Sequence, residues 1–139
     1  MSGDLFLTYS RIKSLLTEAD IRFSEDEDNE VRVIIEGSGN INGDIVVLFS
    51  IVGKGVLCVR GFGRDRMSEK KKAEILLLCN QWNLEKRWPK CYYDEDSLRA
   101  VCEHNVDFEG GVIRDTLRDN VVPTIGSMLK FHKYLSEKL

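Results

Sequence analysis

The stretch 67–93, MSEKKKAEILLLCNQWNLEKRWPKCYY, constrains the fold more than any other part of the chain, because it predicts a helix that is apolar almost all the way round. At about 100° per residue, Ile75, Leu78, Cys79 and Trp82 share one face, while Ala73, Leu76, Leu77 and Leu84 fall on the opposite side. At roughly 20 residues this is an ordinary globular helix, and Lys70-Lys71-Lys72 before it, with Asn80 and Gln81 inside it, exclude a membrane span. It is therefore expected to be buried twice, one face on a sheet and the other on a partner chain or flanking helices. Ser68 followed by Glu69 starts it, the hydroxyl accepting an orphan N–H and the carboxylate lying at the positive end of the dipole. Trp88-Pro89 stops it. Proline disfavours α backbone at the residue before it, so the chain is expected to leave extended and enter a strand at Lys90-Cys91-Tyr92-Tyr93. Leu77, Trp82 and Trp88 are the candidate residues of a partner or dimer surface. Aromatic rings beside a buried helix also serve as core, and for both tryptophans that alternative stays open.

The 139 residues suit one domain, 1–139, which at this size buries about two-thirds of the surface its unfolded chain exposes. A hydrophobic share of 42% with only two prolines argues against global disorder. The net charge is −3 and the longest basic run is Lys70-Lys71-Lys72, so the footprint of a nucleic-acid binder is missing. The opening MSGDLFLTYSRIKSLL has neither the basic start nor the unbroken apolar run of a secretory signal, so a cytoplasmic location is expected. Cys58, Cys79, Cys91 and Cys102 form no close pair, and each lies in an apolar segment. They read as buried free thiols, with no metal and no cofactor expected.

Taken in order, Leu5, Tyr9, Ile12, Leu16 and Ala19 recur at helical spacing and define an amphipathic first helix. Ile21-Arg22-Phe23 opens a short strand. The acidic run Ser24–Asn29 lacks the glycine and the terminal glutamate of a calcium loop, which makes it a solvated turn. Strands are expected at 30–36, 45–52 and 56–62, the last two joined by the hairpin loop Gly53-Lys54-Gly55. Neither glycine cluster leads into a helix with the residues that cradle phosphate, so both are turns. Beyond the central helix, 91–93 and 98–106 form a second hairpin around Asp94-Glu95-Asp96-Ser97. A last helix from Val112 carries Ile113, Leu117, Val121, Met128, Phe131 and Leu135 on one stripe. Pro123 lies on the opposite face and is expected to kink or break it near Val122. The order α-β-β-β-β-α-β-β-α, with the first strand able to merge into the second, is that of an α+β domain.

Catalytic chemistry is sparse. His104 and His132 are the only histidines, and Cys102 and His104 share a strand face without a third residue to orient a base. The carboxylates cluster in turns, where solvation explains them.

The chain resembles the YbjN family of bacterial proteins, described as sensory-transduction regulators and similar in fold to type III secretion chaperones. The residues that carry the resemblance are Asn80, Trp82 and Asn83, then Arg87-Trp88-Pro89-Lys90, then Val106-Asp107-Phe108-Glu109-Gly110-Gly111-Val112. It is specific over 67–135 and amounts to element order and strand character before Arg66. Cys91 stands where a small residue is expected. The resemblance implies an antiparallel sheet with three helices in the order α-β-β-β-α-β-β-α, a homodimer, and no catalytic centre.

The function that follows is a non-enzymatic interaction protein, regulatory or chaperone-like, binding protein partners as a homodimer. The alternative is a small-ligand-binding protein or cryptic enzyme with a pocket between the sheet and the terminal helix, near His104 and Cys102. Recognition is expected at an exposed sheet edge, near Lys54 or the acidic 94–96 turn, or in an apolar groove beside the dimer seam.

Overall fold

The computed structural model describes residues 5–39 and 41–139. Thr8 opens the first helix, α1 (Tyr9–Glu18), its hydroxyl accepting from the Arg11 N–H at 3.2 Å. Ile12, Leu15 and Leu16 form the buried side of α1. Six strands follow in two runs: β1 (Ser24–Glu25), β2 (Val31–Ile35), β3 (Ile45–Val52) and β4 (Val56–Gly63), then β5 (Lys90–Asp94) and β6 (Arg99–Asp107). Between the runs lie a 3₁₀ turn, Glu69–Lys71, and helix α2 (Lys72–Glu85); α3 (Arg114–Lys138) completes the fold. All strand pairs are antiparallel and the spatial order is β1-β2-β3-β4-β6-β5. The α+β class and the expected element order are those observed.

Alternation places the two faces of the sheet. Val31, Val33, Val47, Phe49, Leu57, Val59 and Cys102 join the apolar sides of the three helices in one core. On the other face, cross-strand partners line up Ile34, Val46, Phe62, Val101 and Tyr92 in one row. Beside it runs a mainly charged row of Arg32, Leu48, Arg60, Glu103 and Lys90. The helix α3 approaches β4 closely at Gly61, where an added Cβ would lie 2.8 Å from Met128 Sδ and 3.0 Å from Cys102 Sγ. A side chain at that position would have to displace Met128 and Cys102.

Several sequence expectations are corrected. The first strand is the residue pair Ser24–Glu25, not Ile21–Phe23. The central helix is shorter than expected, because the chain is already extended at Lys86 (φ −117°, ψ 143°), three residues before the proline. Ser68 does cap its entry, but through the 3₁₀ turn, accepting from the Lys70 N–H at 3.3 Å. Pro123 sits inside an unbroken α3 on its exposed side. The absent N–H falls on the outer side of the helix, and Thr124 Oγ1 donates to the Asn120 carbonyl at 2.8 Å beside it. Lys54 joins two central strands and so guards no edge.

Candidate interaction surface around the central helix

The inner side of α2 is built from Ile75, Cys79 and Trp82, all buried. The Trp82 ring meets Phe131 edge-on at 5.4 Å and Tyr134 at 5.3 Å, both from α3. Its indole N–H donates to the Pro89 carbonyl at 2.9 Å. One residue on, Asn83 brackets the outer side of β5: its Oδ1 accepts from the Cys91 N–H and its Nδ2 donates to the Cys91 carbonyl, each at 3.0 Å. Lateral strand β5 therefore presents little free backbone at its start, because α2 has already bound it. Of the two edge positions expected for partner pairing, the one on β5 is thus covered from within the chain at Cys91, the end away from the 94–96 turn.

The outer side of α2 carries no such cover. Leu77 is 71% exposed and Leu84 78%, with Leu76 and Ala73 also in solvent. The expected double burial is thus only single within one chain. Of the three candidate surface residues, Leu77 and Trp88 (60% exposed) are available to a partner, and Trp82 is not, its ring being core and its N–H internally bonded.

The sequence pairing of Cys102 with His104 is replaced by two separate contacts. Both residues face the helices, but His104 Nε2 donates to Asn120 Oδ1 at 2.9 Å, because the Asn120 amide nitrogen is already turned to the Thr116 carbonyl. Cys102 instead lies 3.8 Å from His132 Nε2, and thiol and ring both point at the Gly61 carbonyl, 3.3 and 3.1 Å away. Burial pushes the Cys102 thiol far up and lowers His132 to about 4 against the weaker pull of the Gly61 carbonyl. Both groups are held neutral, the opposite of a thiolate–imidazolium pair. Cys79, Cys91 and Cys102 are buried free thiols as read; Cys58, on the open sheet face, is half-buried instead.

Among the described residues one carboxylate cluster is close-set, Asp26, Asp28 and Glu30. Its oxygens serve the chain itself: Asp26 Oδ1 accepts from the Asp28 and Glu30 N–H groups at 2.9 and 3.0 Å, and Glu30 accepts from the Ser50 hydroxyl. This is the turn that the sequence implied.

Trp88 stands as a wall between two surface cavities. One, of about 370 Å³, is lined by Pro89, His104, Asp119, Pro123 and Thr124, so a hollow between sheet and terminal helix does exist near His104, though without Cys102. The other, of about 450 Å³, has Trp82 and Tyr134 with Lys86, Lys130 and Lys133 around it. Sequence reading missed both lysines of α3; their spacing of three, on the side away from the apolar stripe, was the available signal. Among the described residues, no helix is long and apolar enough to cross a membrane.

The sequence profile of the YbjN family, described as "Putative bacterial sensory transduction regulator", matches residues 8–136. The chain belongs to this family. The crystal structure titled "Crystal structure of YbjN, a putative transcription regulator from E. coli" superposes with a TM-score of 0.70 at 10% identity, covering 94% of this chain and 90% of that one. At that identity the likeness is one of fold. No curated protein matches the chain.

The residues that carry the likeness to the YbjN family have physical work to do here. Trp82 and Asn83 tie α2 to the strand it covers, and Pro89 offers the carbonyl that Trp82 needs. In the 106–112 stretch, Phe108 N–H donates to the Gly55 carbonyl at 2.9 Å, and Glu109 N–H to Asp107 Oδ1 at 2.9 Å. Gly111, at φ 102°, closes a turn onto Phe108, and a Cβ there would meet the Leu5 carbonyl at 3.1 Å. Val112 then donates to Leu5 and accepts from Arg11, which anchors the amino-terminal segment beside α3. These stretches thus act as joints between elements.

Proposed function

We propose that this chain is a non-enzymatic, cytoplasmic interaction protein of regulatory type that associates with a second copy through the outer side of α2 and binds a protein partner. The observation that carries the reading is the uncovered apolar stripe of Leu77 and Leu84 on a helix whose other side is fully packed. An exposed run of large aliphatic side chains marks a surface that is covered in use. The stripe is self-complementary. In an antiparallel pairing centred between Asn80 and Gln81, Leu77 of one copy meets Leu84 of the other, and Glu74 near the helix start meets Arg87 just past its end. A two-fold contact requires that reciprocity of apolar and charged positions. Family membership agrees with regulation.

The ligand-binding or enzymatic alternative has less support. In the hollow beside His104 the polar groups other than the Asp119 carboxylate are engaged: His104 with Asn120, Asn120 with Thr116, Thr124 with Asn120, and Ser127 with Pro123. A site for a small polar ligand keeps such groups convergent and free.

Light scattering on the purified chain at micromolar concentrations tests the seam. The wild type is expected at twice the monomer mass and Leu77→Glu at the monomer mass with unchanged circular dichroism. A wild type that stays monomeric throughout would sink the self-association.

A further inference from the structure

The cavities on either side of Trp88 differ in character. On one side Lys86, at the exit of α2, and Lys130 and Lys133, one turn apart on α3, surround an aromatic floor. Lys86 Nζ lies 5.8 Å from the Trp82 ring centre, and none of the three forms an ion pair among the described residues. Elsewhere basic side chains do find carboxylates, as Lys13 finds Glu25, Lys90 Glu103 and Arg64 Asp44. Glu137 is the one acidic residue at this rim. Three unpaired ammonium groups therefore gather on a protein whose net charge is −3. On the other side the apolar walls are Trp88, Pro89 and Pro123, the His104 and Asn120 side chains are bonded to each other, and the hydroxyls of Thr124 and Ser127 are turned back onto helix carbonyls, so the hollow is largely apolar, with Asp119 as its one carboxylate.

We propose that this double groove is a docking site for an acidic peptide segment of a partner protein, carboxylates over Lys86, Lys130 and Lys133 and the next bulky apolar side chain packed across Trp88 into the Pro89–Pro123 hollow. Charge complementarity selects the occupant. Carboxylates satisfy ammonium groups that the chain leaves unpaired, and a tryptophan exposed by 60% between two concavities is the kind of anchor on which binding energy concentrates. A nucleic acid fits less well, because three lysines on an acidic protein make too short a positive track for a phosphate backbone. The inference deepens the partner-binding half of the proposed function and is separate from the dimer seam, which uses the outer stripe of α2.

The test is a fluorescence titration of the full chain with a short peptide bearing a run of glutamates next to a phenylalanine, followed by the Trp88 emission. Trp88→Phe identifies the part of the signal that belongs to that ring. Saturable binding is expected, weakened by added salt and reduced roughly tenfold or more in Lys130→Glu/Lys133→Glu, a change worth about 1.4 kcal/mol per factor of ten. A peptide with lysines in place of the glutamates is expected not to bind. No saturation, equal binding of the basic peptide, or an unchanged affinity in the charge-reversed variant overturns the proposal. Tighter binding of a single-stranded oligothymidylate than of the acidic peptide overturns it in favour of nucleic acid. Leu77→Glu keeps its peptide affinity if the groove is correct, whether or not it abolishes dimers, so failure of the seam and failure of the groove are read separately.

Discussion

The side-chain amide of Asn83 is paired with both backbone groups of Cys91, one bond in each direction at 3.0 Å. A strand at the rim of a sheet ordinarily invites another chain to pair with it. Here a helix residue imitates that neighbour.

Asn83→Leu should therefore unseal the strand. Losing two hydrogen bonds to a partly buried peptide is expected to cost about 1–3 kcal/mol. The urea midpoint measures the loss, and scattering during prolonged incubation measures the new tendency of Lys90–Asp94 to pair between molecules.

The two tryptophans should separate cleanly. Trp82→Ala removes a buried ring and leaves the Pro89 carbonyl without its donor, so a loss of about 3–5 kcal/mol is expected. Trp88→Ala, at an exposed position, is expected to stay within about 1 kcal/mol of wild type. Equal losses in chemical denaturation would show that the Trp88 ring is covered in solution.

Stability should fall on mild acidification. His132 is held neutral by burial, with its pKa lowered from the ordinary value of 6.5 to about 4. Between those values the unfolded chain binds the proton and the folded chain does not, so the contribution is intact above pH 6.5 and declines as the pH drops toward 4. The expected loss from this residue is about 2 kcal/mol between pH 7 and pH 5. Denaturation curves at the two pH values check it, and His132→Gln, which retains a donor for Gly61, should show the shallower dependence.

Thiol chemistry should pick out one cysteine. Cys79, Cys91 and Cys102 lie in the core, whereas Cys58 is half-exposed on the open sheet face, where burial, then the nearby Glu103 carboxylate, raise its pKa. A disulfide reagent at neutral pH is expected to modify Cys58 alone and slowly, and all four only after denaturation. Mass spectrometry of the labelled peptides distinguishes these outcomes.

Local periodicity made the element order and the core legible. The alternation of Val31 and Val33, the stripe of Leu117, Val121, Met128 and Phe131, and the glycine turn between β3 and β4 each announce their structure within a few residues. What stayed hidden depends on pairs distant in sequence. No local pattern places His132 against Cys102, turns Asn83 toward Cys91, or shows that the second apolar side of α2 remains in solvent. Pro123 misled for a related reason: its missing N–H falls on the outside of α3, and the helix is held by its buried stripe on the other side. The site was partly readable. Leu77 and Trp88 were picked out by hydrophobicity on the second apolar side of α2 and at its exit, while Lys130 and Lys133 became meaningful only once α3 lay beside Trp88.

Arg11 donates to the Phe6 and Val112 carbonyls, the second lying 101 residues further along the chain. The first helix consequently takes only part of its seat from nearby strands, Tyr9 Oη accepting from the Ile51 N–H at 2.9 Å, and the rest from the far side of the fold. In a growing chain it is made before the elements it packs on, its apolar side open while the strands and α2 assemble from nearer neighbours. Contacts of such separation are the slow ones to form. The helix α1 is therefore a segment in need of shelter in the nascent chain, although in the finished fold it is tied down by the turn that leads into α3.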